Sequence, residues 1–506
     1  MKEYDMTLID YAYNAGRTVV ERLSRDEQKS MGQYMTPPAI ATYMARRLVA
    51  TVQGDEVRVL EPAAGAGMLA AATVQELLSL AEPPRRIELL MHELDSRFLP
   101  ALNELGAQMA AHCIERGVRL DWQVQHGDFL LSDLARQGQC VDNLLVIANP
   151  PYFKLNKSDP RAVAHSYAVY GQPNIYGLFM AACARLTAAG GRWCFISPRS
   201  WMNGSYFAAV RRTMFAHLRI DSLHVFDSRK EHFEEDVILQ EAVITWATGR
   251  AEVEPTLQVV ITRSNGIGDL ATAEVQALPM TRLVGADEDQ MVALPAHHDD
   301  PFEAWTATLA TYGLQVSTGP VVPFRSTQYI RETQAPATVP LLWMQHVGQQ
   351  GVRWPINKKR EHIVAESGSA WMLVPNGPMV LMRRFSPKED ERRVTAAAYT
   401  GGLPGPVLGL ENHLNYIYRP GGVMTPQEAC GLAAFLSSRV VDQHFRALAG
   451  STQVNAGELR KLPLPSLPML VALGASLPPN PTLEQIDTAV ERALELPQQR
   501  RLQVAD

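Results

Sequence analysis

The first half of the chain alternates short apolar segments with helical ones, and this rhythm limits the possible folds more than any other feature. The apolar segments that fit buried strands are Arg58–Leu60, Ile87–Met91, Leu120–Gln125, Leu144–Ala148, Trp193–Ile196, Leu223–Phe226 and Ala242–Trp246. Helical segments between them are Ala70–Leu80, Leu99–Glu115, Tyr176–Leu186 and Phe207–Leu218. Strands separated by helices pair in parallel. The pattern therefore predicts an α/β fold with a doubly wound, mostly parallel, Rossmann-like sheet. The last two strands have only a short acidic connection, which predicts a terminal antiparallel hairpin.

Charge is distributed unevenly along the chain, although the net charge is only −6. Residues 321–470 contain 16 Lys+Arg and 10 Asp+Glu, a net of +6, so the rest carries −12. A polyanionic partner would therefore meet the second half of the chain.

The cysteines and the N-terminal sequence indicate the compartment. The 5 cysteines include no C-x-x-C pair, so we expect neither a disulfide framework nor a cysteine-rich zinc site. The first residues contain acids where a signal peptide needs an apolar run, and no run of about 18 apolar residues occurs. These features predict a cytoplasmic protein without a membrane span.

A glycine-rich turn, Glu61-Pro-Ala-Ala-Gly65-Ala-Gly67, directly follows the first strand. Glycines allow the backbone to turn tightly and to lie against a ligand, and the amides that begin the next helix attract an anionic group. The dinucleotide pattern G-x-G-x-x-G is incomplete, because Ala70 stands at the third glycine position. The chain also lacks the phosphate-binding pattern G-x-x-x-x-G-K-[ST], so ATP chemistry is not indicated.

Acidic residues also follow the next two strands. Glu93, at the end of the second strand, is placed to accept both hydrogen bonds of a ribose diol. Asp128 follows the third strand, where it can accept from an adenine amino group while Phe129 covers the ring face. Solvated acids and core aromatic residues are common at such positions, so the order of the motifs matters more than any one of them.

The motif Asn149-Pro150-Pro151-Tyr152 ends the fourth strand and is the most specific signal in the chain. Two prolines directly after a buried strand exclude both sheet pairing and helix continuation. The side-chain oxygen of Asn149 and the carbonyl of Pro150 can then converge on one point. Two acceptors there suit an amino group with two hydrogens to donate, and Tyr152 offers a ring that can stack on a planar substrate.

These four motifs, in this order and at strand ends, resemble the γ-type (TaqI-like) adenine-N6 DNA methyltransferases of bacterial restriction–modification systems. Residues 32–38 precede the glycine-rich turn, as in that class, and residues 195–201 and 232–242 also match it. Residues 445–460 resemble a segment of longer bacterial methylases. The likeness covers about residues 30–250 and 405–465. Glu61 departs from it, because many relatives have Asp there.

The resemblance implies a role for each candidate residue. The catalytic residues would be Asn149, Pro150, Tyr152 and Phe233. The residues that bind S-adenosylmethionine would be Tyr34, Thr36, Pro37, Glu61, Ala63, Gly65, Gly67, Glu93, Asp128 and Phe129. No metal is implied. The target base would leave the duplex to stack on Tyr152 and Phe233. Because Tyr152 would act through its ring, Tyr152→Phe is expected to cost little activity.

The same motif also occurs in other enzymes, so alternatives remain. Enzymes that methylate RNA adenine or protein glutamine contain it, but residues 32–38, Phe233 and the basic extension favour DNA. A non-catalytic DNA-binding subunit would have a damaged Asn149–Tyr152 motif or glycine-rich turn, and both are intact here.

Three domains are expected: a catalytic methyltransferase domain over residues 1–250, an α+β domain at 251–425 that recognises the DNA sequence, and a mainly helical segment at 426–506 that packs with it. Double-stranded DNA is the expected partner, with phosphate-contact candidates at Lys358–Arg360, Arg383–Arg384 and Arg392–Arg393. Cleavage would belong to a separate restriction endonuclease. No oligomeric state follows from the sequence, and a monomer is compatible with it.

Overall fold

The chain forms two compact units, Met1–Ala293 and Leu294–Asp506, which we call unit 1 and unit 2. The computed structural model describes residues 7–22, 35–226, 242–250, 257–285, 288–294, 302, 305–349, 351–385, 391–448 and 456–494. None of the helices in these ranges is long and apolar enough to cross a membrane.

Unit 1 contains a nine-stranded sheet with helices beside it. Its strands are β1 (Glu56–Glu61), β2 (Arg86–Glu93), β3 (Arg119–His126), β4 (Leu144–Ala148), β5 (Arg192–Pro198), β6 (Leu218–Phe226), β7 (Ala242–Gly249), β8 (Gln258–Ser264) and β9 (Glu274–Pro279). Its helices are α1 (Leu8–Val20), α2 (Pro38–Val49), α3 (Met68–Leu78), α4 (Leu99–Glu115), α5 (Asp133–Gln137), α6 (Pro160–Ala164), α7 (Ile175–Leu186), α8 (Ser200–Asn203), α9 (Ala208–His217) and α10 (Met280–Leu283).

The strand order is β3-β2-β1-β4-β5-β7-β6-β8-β9. β1 pairs in parallel with β2 on one side and with β4 on the other. From β1 the chain continues across the sheet in one direction to β2 and β3, and it then returns to the other side of β1 to form β4. This change of direction creates a switch point, and ligands of such sheets bind in the crevice there. β7 pairs antiparallel with both β5 and β6. The predicted doubly wound, mostly parallel sheet is therefore confirmed. The predicted antiparallel pair of β6 and β7 is also present, but β8 and β9 extend the sheet beyond it.

Burial on both faces explains the most strongly apolar elements. All five residues of β4 are buried, as a central strand covered by helices requires. α4 buries one face, and its Gly106 lies so close to β3 that an added Cβ would be 2.5 Å from the indole of Trp122. Glycine therefore lets this helix approach the sheet.

Some predicted boundaries differ from the structure. α4 and β4 have their predicted bounds, but α3 ends at Leu78 and β6 begins at Leu218, which the sequence assigned to a helix. β6 gains its length from pairing with β7 on one side and β8 on the other. β8 and β9 belong to the same sheet although they follow residue 250, the expected end of the catalytic domain. The division of function between domains stays a prediction.

Unit 2 is an α+β unit with small sheets. Its strands are β10 (Gln315–Thr318), β11 (Ile330–Arg331), β12 (Thr338–Leu342), β13 (Val347–Gly348), β14 (Gly351–Val352), β15 (His362–Val364), β16 (Leu373–Pro375), β17 (Met379–Arg383), β18 (Ala396–Tyr399), β19 (Val407–Leu410) and β20 (Leu414–Tyr418). Its helices are α11 (Pro426–Ser437), α12 (Arg439–Leu448), α13 (Ala456–Lys461), α14 (Leu467–Ser476) and α15 (Leu483–Ala493).

One predicted phosphate contact is wrong. Arg392 and Arg393 are only 9% and 5% exposed. The Arg392 guanidinium donates to Asp487 on α15 at 2.5 Å, and Asp487 also accepts from the backbone of Arg439 at 2.7 Å. The sequence predicts that Arg392 and Arg393 contact phosphates at the surface. In the structure, Arg392 is buried and binds the carboxylate of Asp487, which is distant in the sequence.

We expect Asp487→Asn to lower the free energy of unfolding by about 3 kcal/mol, because removing one partner of a buried ion pair leaves the other charge in a poorly solvated place. Glu484→Gln is the matched control, since it neutralises an exposed acid in the first turn of the same helix. The control should lose at most about 1 kcal/mol, the usual worth of an acid near a helix N-terminus. Urea unfolding followed by circular dichroism measures both, and equal losses would contradict a special role for Asp487.

Candidate active site

A cavity of about 260 Å³ opens at the carboxyl ends of the central strands of unit 1. It lies at the switch point between β1 and β4, where the fold leaves a crevice. Most of the predicted cofactor residues line it, namely Thr36, Glu61, Ala63, Gly65, Glu93, Asp128 and Phe129, and so does Asn149. The structure therefore brings together residues that the sequence separates by more than a hundred positions.

The glycine-rich turn depends on two left-handed residues. Gly65 has φ +53° and Gly67 has φ +81°, conformations that L side chains rarely adopt. Gly67 also precedes α3 and packs against α4, since a Cβ there would lie 2.6 Å from Leu105. Glycine at this position lets the turn lie close to α4 while the first amides of α3 begin beside the cavity.

Glu61 is bound to the helix that follows it. Its side chain is 1% exposed, and Oε2 accepts a hydrogen bond from the Ala70 amide at 2.9 Å. Burial raises the pKa of Glu61 well above its usual value, and the hydrogen bonds from α3 oppose this rise only in part. The glycine-rich turn predicts that the amides at the start of α3 attract an anionic group of a ligand. In the structure, the Ala70 amide donates to the side chain of Glu61.

Glu93 connects the ends of β1 and β2. Its Oε2 accepts from the Gly65 amide at 2.6 Å and its Oε1 from the Asp95 amide at 2.7 Å. The residue is 7% exposed, and burial raises its pKa, against the effect of these hydrogen bonds. Each carboxylate oxygen has a second acceptor position, so Glu93 can still face a ligand's hydroxyl groups.

The turn after β3 forms the aromatic side of the cavity. Phe129 is 2% exposed and stacks on Phe179 of α7, with ring centroids 5.6 Å apart. His92 meets the Phe129 ring edge-on at 5.1 Å, and burial lowers the pKa of His92 to about 4, so this imidazole is neutral at neutral pH. Asp128 accepts from the Leu130 amide at 2.9 Å.

Sequence reasoning missed Arg161, which lines the cavity from α6. Its guanidinium binds Asp159 at 2.7 Å and lies 3.7 Å from Asp128. Burial raises the pKa of Asp128, and the charge of Arg161 lowers it in part. The pattern Asp159-Pro160 marks a helix start, but nothing local shows that α6 returns to the turn after β3.

Asn149 is held by two side chains from different parts of the chain. Its Nδ2 donates to Thr36 Oγ1 at 3.0 Å, and its Oδ1 accepts from the Tyr152 hydroxyl at 2.6 Å. The Tyr152 hydroxyl also lies 3.2 Å from the Ile196 carbonyl on β5. These contacts define which way the amide points. Sequence reasoning assigned Tyr152 only a stacking ring and placed Thr36 beside the cofactor, so neither contact was foreseen.

The remaining predicted residues lie at the edge of this site or outside the described residues. Pro37 precedes α2, and Gly67 and Pro150 lie beside residues that line the cavity. Tyr34 and Phe233 lie outside the described residues. Among the described residues, no group of His, Cys, Asp and Glu side chains is arranged to hold a metal ion.

Comparison with known proteins decides the family. The family described as Eco57I restriction-modification methylase matches residues 144–233, which include the Asn149–Tyr152 motif. The chain is 30% identical over 482 residues to the type II methyltransferase M.BsuBI of Bacillus subtilis, with 93% of this chain and 94% of that protein covered. The chain belongs to the restriction–modification methyltransferases. It is also 29% identical to the type II methyltransferase M.PstI of Providencia stuartii, over 91% of each chain.

Among solved structures, that of the type IIG restriction endonuclease BpuSI aligns with a TM-score of 0.47 at 11% identity, over 93% of this chain and 63% of that one.

Membership of this family implies S-adenosylmethionine as the cofactor, and the cavity fits such a molecule. Gly65 leaves open space along the turn, while Glu93 and Asp128 offer acceptors at successive strand ends. Phe129 and Phe179 provide an apolar wall for a flat ring.

We expect the free energy of unfolding to depend on pH through Glu61. A folded-state pKa above the usual 4.5 means that folding favours the protonated carboxyl. The stability contribution is then complete below about pH 4.5 and is lost as the pH rises through the raised pKa. Glu61→Gln cannot ionise, so its stability relative to the wild type should increase over this pH range.

Denaturant titrations between pH 4 and 8 measure this difference. Glu115→Gln, which neutralises an exposed acid on α4, is the control for the loss of a surface carboxylate. A stability difference between Glu61→Gln and the wild type that stays constant over this range would contradict a buried, titrating Glu61.

Proposed function

We propose that this protein transfers a methyl group from S-adenosylmethionine to N6 of an adenine within a specific sequence of duplex DNA, and thereby protects host DNA from a cognate restriction endonuclease. The observation that carries the proposal is Asn149. Its amide is oriented by Thr36 and Tyr152, and Asn149 lines the cavity in which we place the cofactor.

The cofactor would lie along the glycine-rich turn. When bound, it supplies an electrophilic methyl group attached to a positively charged sulfur. Glu93 would accept from the ribose hydroxyl groups through the lone pairs that its two backbone contacts leave. Asp128 would accept from the adenine amino group, with the ring against Phe129. Glu61 lines the same cavity and would attract the ammonium group of the methionine part.

Asn149 and Pro150 would prepare the substrate nitrogen. The amino lone pair of adenine is delocalised into the ring, which makes it a poor nucleophile. Two acceptors, Asn149 Oδ1 and the Pro150 carbonyl, can hold the amino hydrogens so that the lone pair points at the methyl carbon. They also stabilise the positive charge that develops on the nitrogen, so no base is needed before attack.

The contacts of Asn149 explain why this arrangement would be ready before the substrate arrives. Thr36 binds the amide nitrogen, which turns the oxygen towards Tyr152. An amide oxygen has two lone pairs, so it has the capacity to accept from both Tyr152 and the substrate. An acceptor held in place needs no reorganisation during the reaction, which is the main source of electrostatic catalysis.

Duplex DNA as the substrate is supported by family membership, since restriction–modification systems act on DNA. A target amino group inside the duplex is paired and stacked, so the base must leave the stack at a cost of a few kcal/mol. Stacking on the Tyr152 ring would offset part of this cost.

A duplex with 2-aminopurine at the target position should therefore become more fluorescent on binding.

We expect Asn149→Ala to abolish methyl transfer while cofactor and DNA affinity stay within a few-fold of the wild type, because the lost interaction forms in the transition state. Asn156→Ala changes an exposed Asn in the loop after the same strand and is the matched control. The assay uses labelled cofactor and methylation-free bacterial DNA, and chromatography of the digested DNA identifies the methylated base.

Methylated cytosine as the product would contradict the choice of adenine. Near-normal activity of Asn149→Ala would contradict the mechanism.

We expect Tyr152→Phe to lower kcat about fivefold with little change in KM, since removing one hydrogen bond to the Asn149 amide costs about 1 kcal/mol. The sequence alone predicts that this substitution costs little activity. The structure predicts a larger loss, because the Tyr152 hydroxyl donates a hydrogen bond to Asn149. Thr36→Val should act in the same way, and Thr36→Ser should restore activity because it keeps the acceptor. Steady-state kinetics tests all three, and an inactive Thr36→Ser would contradict the role of the Thr36 oxygen.

A further inference from the structure

A segment of unit 2 contains only basic charges. Between Glu332 and Glu361 the sequence has no acidic residue, while residues 333–360 contain four Lys or Arg and four Gln. Glu361, which ends this stretch, is only 4% exposed. The segment therefore presents positive charge and amide groups without a carboxylate of its own at the surface.

Buried contacts hold this segment in one conformation. Glu361 Oε1 accepts from His346 Nε2 at 2.7 Å and from the Ile356 amide at 2.9 Å. His346 Nδ1 accepts from the Trp343 amide at 2.8 Å, which leaves Nε2 to carry the hydrogen that points at Glu361. The Glu361 carboxylate thus connects the end of the segment to His346, just before β13, and to Ile356, after β14.

Two tryptophans add to this support. The indole N–H of Trp343 donates to the Arg360 carbonyl at 2.7 Å, and that of Trp354 donates to the Glu361 carbonyl at 3.1 Å. Lys358 Nζ lies 4.9 Å from the centre of the Trp343 ring, where the ring face attracts a cation. The backbone of residues 343–349 and 351–361 is therefore held by contacts within the segment, while the side chains of Gln345, Gln349, Lys359 and Arg360 remain exposed.

The exposed side chains of this segment include both amides and cations. β13 and β14 pair antiparallel as a short hairpin, with Gln349 directly after β13 and Gln345 just before it, and both side chains are exposed. Lys359 and Arg360 are exposed further along the segment. A polar cavity of about 450 Å³ adjoins the hairpin. Its lining residues are Gln345, His346, Gly348, Gln349, Gly351, Arg353, Ile356, Arg383, Glu391 and Thr395.

We propose that residues 343–349 and 351–361 form the surface by which unit 2 reads duplex DNA, with Gln345 and Gln349 at the base edges and Lys359 with Arg360 on the phosphates. The proposal rests on the proposed function and adds the surface that selects the sequence. A glutamine amide can pair with both major-groove groups of an adenine, and cations on phosphates set the position of the protein along the duplex.

The rigid support of the segment matters for this role. A loop that is already ordered loses little conformational entropy on binding, so more of its contact energy appears as affinity. Glu391 is the one carboxylate among the described residues that line the cavity, and it could accept from a cytosine amino group. Charge alone had suggested Lys358–Arg360 as phosphate contacts, and the structure adds the hairpin and its buried support.

The phosphate contacts are tested by the salt dependence of DNA affinity. The recognition sequence is first obtained by sequencing the bases that the wild-type protein methylates in bacterial genomic DNA. The double variant K359Q/R360Q should then bind a duplex with that sequence more weakly, and the slope of log affinity against log salt should fall by about 2. Arg492→Gln, which removes an exposed cation from α15 of the same unit, should leave the slope unchanged.

The base contacts are tested by specificity. Gln345→Ala and Gln349→Ala, both exposed and away from the buried contacts, should lower the preference for the cognate duplex over single-base variants by about 5- to 150-fold. Circular dichroism confirms that each variant is folded. Wild-type slope in K359Q/R360Q together with unchanged specificity in both Gln variants would overturn this proposal while the methyltransferase function stands. A wild-type protein that methylates no DNA would instead overturn the proposed function.

Discussion

The parallel pairing of β1 with β2 on one side and β4 on the other determines where the candidate site lies. Parallel strands all end at the same edge of the sheet, so Glu61, Glu93 and Asn149 come to one crevice. The strand order reverses between β2 and β4, so the helices on either side diverge there and leave space for a ligand. This topology therefore places the cavity proposed for the cofactor next to Asn149, the acceptor proposed for the substrate.

Buried carboxylates then give the crevice its shape. Glu61 and Glu93 are almost inaccessible to solvent, which is unfavourable for ionised groups unless hydrogen bonds compensate. Backbone amides of Ala70, Gly65 and Asp95 provide such bonds, which compensate only in part, because the pKa of each carboxyl stays above its usual value. The glycine-rich turn is thus tied to β2 and to α3 by the protein's own residues. The same acids that would bind a cofactor therefore also hold the loop in a receptive form.

Unit 2 uses the same physical device for a different purpose. There Glu361 is buried and accepts from His346 and Ile356, and its contacts fix a loop whose outer side is basic. In unit 1 the ordered loop faces a cavity, and in unit 2 it faces solvent. In both units a buried acceptor orders a polypeptide segment that has little regular secondary structure, because leaving such an acceptor unsatisfied would be costly.

Local patterns in the sequence are enough to predict the α/β class, the succession of the first strands along the chain and the motifs at their ends, because apolar periodicity and turn chemistry are local properties. It did not show that Asn149 contacts Thr36, that Arg161 reaches the cavity, or that Arg392 is buried against Asp487. It also missed β8 and β9, whose pairing depends on β6. None of these features can be read from local patterns, since burial and hydrogen-bond partners depend on residues that are distant in the chain.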